Sequence, residues 1–278
     1  MKNRIITESK PVKYSLITIS LLFVLIFLII PLFSVFFNAL EKGYTYYLGA
    51  LQEEDAISAM KLSLITVCIT VPLNLVFGVS ASYLIARFEF IGKNLLTTLI
   101  DIPFSVSPVI SGLLFVILFG REGIFGNFLQ ANDIKIIFST PGIVIVTVFV
   151  TFPFIARELI PIMQSLGSEE EEASLILGAN GWQTFFYVTL PNIKWGLLYG
   201  VILCSARAMG EFGAVSVVSG HIRGLTNTLP LHIEILYNEY NYVGAFAVAS
   251  VLAMLSIVFL ILKETVSHFS DNQKTSHN

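Results

Sequence analysis

Apolar residues dominate six stretches of the chain, at about positions 15–37, 62–86, 95–119, 136–163, 193–218 and 242–262, and polar positions gather between them. A helix needs roughly 20 apolar residues to cross the hydrocarbon core of a bilayer. Each stretch is about that long, so the pattern predicts an all-α, polytopic membrane protein of about six transmembrane helices. The first stretch follows Lys2, Arg4, Lys10 and Lys13 and ends at Phe36-Phe37. A signal peptide has a shorter apolar core and a small-residue cleavage site. This segment is therefore expected to remain as the first helix.

Composition agrees. Of 278 residues, 55% are hydrophobic and 13% are charged. A soluble domain carries about 25% charged residues. Half that fraction leaves too little polar surface to cover a soluble globule, whereas a bilayer accepts the excess. The mean hydropathy is +0.80. A net charge of -3 carries no signature of a nucleic-acid partner. Cys68 and Cys204 lie inside apolar runs and act as small hydrophobes. His221, His232, His268 and His277 all fall away from mid-membrane positions, which speaks against an intramembrane metal cluster.

Basic residues orient the helices, because cytoplasmic loops collect Lys and Arg. With the N-terminus inside, Lys2, Arg4, Lys10, Lys13, Arg87, Lys93, Arg157, Lys194, Lys263 and Lys274 fall on the cytoplasmic side. Lys42, Lys61, Arg121, Lys135 and Arg223 fall outside, and Arg207 falls within a helix. The two-to-one bias places both termini in the cytoplasm. Prolines 72, 103, 108, 141 and 153 lie in the spans. Membrane helices tolerate them as kinks. The segment from Asp101-Ile102-Pro103 to Pro108 is a candidate for a sharper bend around a pathway. The chain divides into residues 1–55 (cytoplasmic segment, first helix and outer loop), a helical domain over 56–263, and a polar tail over 264–278.

The longest cytoplasmic interruption is about 164–192. Ser168 followed by Glu171 has capping-box spacing, which predicts a short helix starting there. The carboxylates of Glu169 to Glu172 suit the positive end of its dipole. Leu175, Ile176 and Leu177 follow, with Gly178 and Gly181 placed to stop or bend the helix. Such an apolar surface in water is either covered by a partner or packed on the protein's own helix ends.

This loop resembles the cytoplasmic motif of ABC importer permeases, E-A-A-x3-G-x9-I-x-L-P. Here it runs Glu172-Ala173-Ser174, Gly178, then Val188-Thr189-Leu190-Pro191 after nine residues, with Ser174 and Val188 as departures. The resemblance implies a type I ABC importer transmembrane domain over 56–263. It also implies a coupling helix seated in a cleft of the ATPase, with Glu172, Ala173 and Gly178 as docking residues. No phosphate-loop motif exists in the chain; Gly92-Lys93-Asn94 is the nearest fragment. The chain itself then needs no cofactor, and a partner ATPase uses the ATP and Mg.

In the fifth stretch Arg207 and Glu211 are four apart and share one helix face. Each is costly alone in hydrocarbon. They form either a structural ion pair or, through Arg207, part of an anion pathway or gate. The small residues Gly210, Gly213 and Ala214 allow close helix approach. His221 and Arg223 are either ordinary loop polarity or the lining of an outer vestibule. The runs Ser205–Ala214, Ser219–Gly224, Thr228–Leu231 and Asp101–Val109 resemble the sulfate/thiosulfate permeases and the related molybdate permeases, with His221–Gly224 and Thr228–Leu231 closest to the W-type (CysW-type) subunit. That resemblance implies a paralogous second permease of the T type (CysT-type), two ATPase copies and an extracytoplasmic sulfate-binding protein in the cell (inner) membrane. The alternatives are a molybdate or tungstate permease and an ATP-independent secondary transporter. Against the latter, few acids lie in the spans and no internal repeat is visible.

Overall fold

A computed structural model describes residues 10–276, with side chains over 11–267. Lys2, Arg4 and His277, used above, lie outside the described residues. Among those described, every regular element is helical. In chain order they are α1 (Pro11–Ala39), α2 (Tyr44–Gln52), α3 (Glu54–Arg87), α4 (Lys93–Ser105), α5 (Pro108–Phe119), α6 (Gly126–Ala131), α7 (Thr140–Leu166), α8 (Glu169–Ile176), α9 (Gly181–Met209), α10 (Gly213–Ser219), α11 (Leu229–Asn238) and α12 (Tyr242–Ser276). Five of them, α1, α3, α7, α9 and α12, are long and apolar enough to span a membrane. The pair α4 and α5 passes the same test jointly but is bent by 108°.

That bend replaces the single straight span expected over 95–119, and it falls where the proline-rich segment pointed. Val106 and Ser107 have ψ of 135°, outside the helical region. A residue before proline is pushed out of the α region, and Pro108 then starts α5 with its φ already set.

The fifth stretch also departs from expectation. Instead of one span over 193–218, α9 begins at Gly181 inside the loop expected over 164–192, stops at Met209, and α10 restarts at Gly213. The Glu211 carboxylate accepts the Ala214 N–H at 2.9 Å, so it starts a new helix rather than continuing the old one. At the C-terminus, α12 continues through the expected polar tail to Ser276. No proline or glycine follows Gly244 to stop it.

Two π-helical turns, Leu25–Ile29 and Phe185–Thr189, each stand just before a proline, Pro31 and Pro191. A proline ring clashes with the carbonyl four residues back. Widening the turn by one residue relieves the clash.

The centre of the bundle is built from small side chains. Ala56, Ala59, Ser63, Thr66, Thr70, Asn74, Gly78 and Ser82 recur at three- and four-residue spacing on the buried face of α3. This face packs on α7, α9 and α11. In lipid, small residues and buried hydrogen bonds hold helices together because the hydrophobic effect between them is absent. Asn74 donates to Thr151 Oγ1 at 2.7 Å across that contact. Ile155, Leu159, Met163, Ile193 and Cys204 fill the layer between α7 and α9. α10 packs tightly on α5: a Cβ on Gly112 would lie 2.6 Å from the Ala214 carbonyl oxygen. α1 leans on α12, and its apolar window is not buried by the rest of the chain.

Candidate functional site

The loop over 164–192 folds as a helix–turn–helix clamped to the bundle. α8 ends in a Schellman arrangement: Ala179 N–H reaches the Ser174 carbonyl and Gly178 N–H the Leu175 carbonyl, both at 3.0 Å. Gly178 has φ +97, a conformation that other residues enter at a cost. Asn180 then caps α9 in a complete capping box with Gln183, at 2.9 and 2.8 Å. Gly181 accordingly begins a helix and does not end one.

The capping box expected at Ser168 and Glu171 does not form. Ser168 donates instead to Glu172 Oε1 at 2.6 Å. Glu171 turns inward, where Arg87 at the end of α3 grips it with two hydrogen bonds of 2.8 and 3.0 Å. Thr189 donates to the same carboxylate at 2.8 Å. Arg87 also donates to the Met163 carbonyl in α7 at 2.7 Å. One ion pair therefore joins α3, α7, α8 and α9. A long-range partner outcompeted the local cap, since a bidentate arginine–carboxylate pair is stronger than a neutral cap bond.

Of the motif residues, Glu172, Ala173, Gly178 and Pro191 are exposed, and Ser174 and Leu190 are half-buried. Ser174 shares a hydrogen bond of 2.7 Å with Thr184, closing α8 onto α9. Beside them Ile176 is 86% exposed, Leu177 88%, Trp182 75% and Tyr187 80%. Covering Leu175, Ile176 and Leu177 with the protein's own helix ends was one of the two expectations, and the fold leaves all three exposed. Trp182, Phe186 and Tyr187 were not singled out in the sequence; their spacing on the first turns of α9 was the available signal.

The other candidates lie apart from this loop. Arg207 and Glu211 pair at 2.5 Å at the break between α9 and α10, with the Glu211 side chain 1% exposed and that of Arg207 32%. His221 Nδ1 lies 3.9 Å from Glu234. Arg223 pairs with Glu239 and stands 4.0 Å from Asp55. The charge of Arg223 is thus balanced within the chain, and it shares no ion-pair partner with Arg207 among the described residues. Asp101 pairs with Arg157 at 3.2 Å, and the guanidinium also stacks over Phe104 at 5.0 Å. Arg157, assigned above to a cytoplasmic segment, sits within α7. In α11, burial pushes the His232 imidazole below its usual pKa, while Asp55 and Glu53 pull it upward, Arg223 downward and Glu239 upward.

Residues 74–268 match the model of the family described as binding-protein-dependent transport system inner membrane component. The chain is 48% identical to the sulfate transport system permease protein CysW of Escherichia coli (strain K12), over 96% of this chain and 93% of that protein. It is 34% identical to the sulfate transport system permease protein CysT of the same strain, over 89% of each. A bacterial alginate ABC transporter, crystallised with its alginate pentasaccharide-bound periplasmic protein, contains a chain with a TM-score of 0.76 at 17% identity, covering 93% of both.

Proposed function

The chain belongs to the binding-protein-dependent transport system inner membrane components, and from that premise we propose that it is the permease subunit of an ATP-driven importer of sulfate or thiosulfate. The observation that carries the substrate and the subunit type is its identity to CysW, higher than to CysT of the same strain. This favours sulfate over molybdate and gives the chain the W-type role beside a T-type paralogue. Two copies of an ATPase consuming ATP and Mg complete the complex in the cell membrane. A sulfate-binding protein delivers the anion outside, and both termini of this chain lie in the cytoplasm.

The loop is the ATPase contact in this reading. Its support is an uncovered apolar edge on a rigidly held helix pair, since a large exposed apolar surface in water marks a partner. Glu172, Ala173 and Gly178 meet the ATPase directly. Ser174, Leu190 and Pro191 belong to the same docking loop, with Ser174 closing α8 onto α9 through Thr184. ATP-driven closure pushes α8, and the bundle rocks as a body between inward- and outward-facing states. Arg207, a third exposed beside a buried carboxylate, is the candidate gate residue.

Reconstitution tests the proposal. This subunit, its paralogue, the ATPase and the binding protein are placed in ATP-loaded vesicles, and labelled sulfate uptake is followed with molybdate as competitor. ATP-dependent uptake that Gly178→Asp abolishes and molybdate barely reduces is the expected result. Uptake indifferent to ATP would overturn the importer, and transport of molybdate alone would overturn the substrate.

A further inference from the structure

A second site lies at the opposite end of the bundle. α7 carries the chain from residue 140 to the cytoplasmic loop, about 40 Å at 1.5 Å per residue. At its far end, the last turn of α5, α6 and residues 133–138 enclose a cleft of about 660 Å³. Sites for small organic ligands occupy roughly 300–1,000 Å³. The floor is apolar, built from Val116, Phe119 and Leu129, and the rim carries Arg121, Lys135 and Asp133. All three rim residues are exposed, and none has an ion-pair partner among the described residues.

Two observations set this cleft apart from ordinary surface. Its wall is held in a demanding conformation at Phe138, with φ 58. Non-glycine residues in the left-handed region persist only where surrounding structure fixes them, and they gather at ligand clamps. Here the Phe138 N–H is fixed to the Val218 carbonyl of α10 at 2.9 Å. The flank, moreover, is apolar and uncovered, with Ile124 75% and Phe128 63% exposed. An apolar flank suits contact with acyl chains, and the charged rim suits a headgroup at the membrane surface.

We propose that this cleft binds one zwitterionic phospholipid of the outer leaflet. Its phosphate lies between Arg121 and Lys135, its ammonium group meets Asp133, and an acyl chain covers Val116, Phe119 and Leu129. Two cations beside one acid match a phosphate with an attached amine better than a purely anionic headgroup. The bonds to the phosphate are charge-assisted on both sides. Through Phe138 the lipid steadies α10, the helix that Glu211 starts.

The test uses the assembled permease complex in lipid-free detergent and tritiated dioctanoyl phosphatidylethanolamine. Bound lipid is counted after rapid filtration. Saturable binding, weakened about tenfold in Arg121→Gln/Lys135→Gln, is the expected result. Dioctanoylglycerol and inorganic phosphate should compete poorly, and dioctanoyl phosphatidylglycerol several-fold less well than the labelled lipid. Displacement by inorganic phosphate alone would reassign the site to a free anion and overturn the lipid. Equal competition by dioctanoylglycerol would remove the phosphate contact, and equal competition by phosphatidylglycerol the zwitterion. The competition arms need only the unsubstituted complex, so they decide the matter even if the double variant fails to assemble.

Discussion

Glu171→Ala should detach α8 from the bundle while leaving the bundle itself intact. The Glu171 and Arg87 side chains are 11% and 10% exposed and meet through two hydrogen bonds, with Thr189 adding a third to the carboxylate. Removing one member of a buried ion pair costs about 3–5 kcal/mol. Arg87 keeps the Met163 carbonyl and some water, so the lower end, about 3 kcal/mol, applies here. At 1.36 kcal/mol per factor of ten, that raises the detached population roughly 100-fold. Amide hydrogen exchange reads this directly at Glu172, Leu177, Gly178 and Ala179, whose N–H groups bond within the loop. Protection there should fall by about two orders of magnitude, with α12 unchanged. The paired variant Arg87→Met/Glu171→Met removes both charges and should recover much of the protection. A change below tenfold in Glu171→Ala would refute the claim that this pair holds the loop.

Gly178→Ala meets no atom within 4 Å and so bears only the backbone cost of φ +97, about 1–2 kcal/mol, visible as faster exchange at Ala179. Leu177→Asp, at a position 88% exposed, should leave thermal unfolding of the permease unchanged and reduce ATPase co-purification about tenfold. Arg207→Ala strands a carboxylate that is 1% exposed, whereas Glu211→Ala strands a guanidinium that is 32% exposed and also removes the acceptor of the Ala214 N–H. Each should cost about 3 kcal/mol by thermal unfolding, and only Glu211→Ala should speed amide exchange at Ala214. Burial lowers the His232 pKa in the folded chain, so the unfolded chain binds the proton first as pH falls below 6.5. Stability should be complete above 6.5 and decline below it, and His232→Leu should flatten that slope in a melting series from pH 7.5 to 5.5.

The spans were legible because the bilayer imposes their length and apolarity on the sequence directly. The bend before Pro108 was legible for a similar reason, since proline restricts its predecessor whatever surrounds it. The break after Met209 was not. Apolar residues continue through Val215 to Val218, and Gly210 and Gly213, which also suit close helix packing, do not by themselves distinguish a stop from a continuous span. The stop depends on the Glu211 carboxylate turning to the Ala214 N–H while holding Arg207, which is a matter of three-dimensional pairing. Glu171 shows the same limit more sharply. Four glutamates in a row look alike in sequence, and local spacing assigned Glu171 to Ser168. Its partner Arg87 is 84 positions away. The motif pointed to a loop whose residues Glu172, Ala173 and Gly178 are exposed. It could not reveal which glutamate faces inward.

That inward glutamate determines where a push on the loop goes. Arg87 ends α3, Met163 lies in α7, and Thr189 stands just before Leu190 in α9, so all three helices that build the central layer meet at one Arg87–Glu171 pair. On the proposed function, a load on α8 would enter them together. The places that can yield are elsewhere: the extended pair Val106-Ser107 between α4 and α5, and the turn between α9 and α10. α10 packs against both α5 and α7, so it bridges the yielding elements and the rigid ones. On the proposed function, a displacement imposed at the loop would be taken up where α10 begins, at the Arg207–Glu211 pair, and the distance of that pair from the loop is no obstacle to such a role. An ion pair with one partner a third exposed can be broken and remade during a conformational cycle at lower cost than a fully buried one.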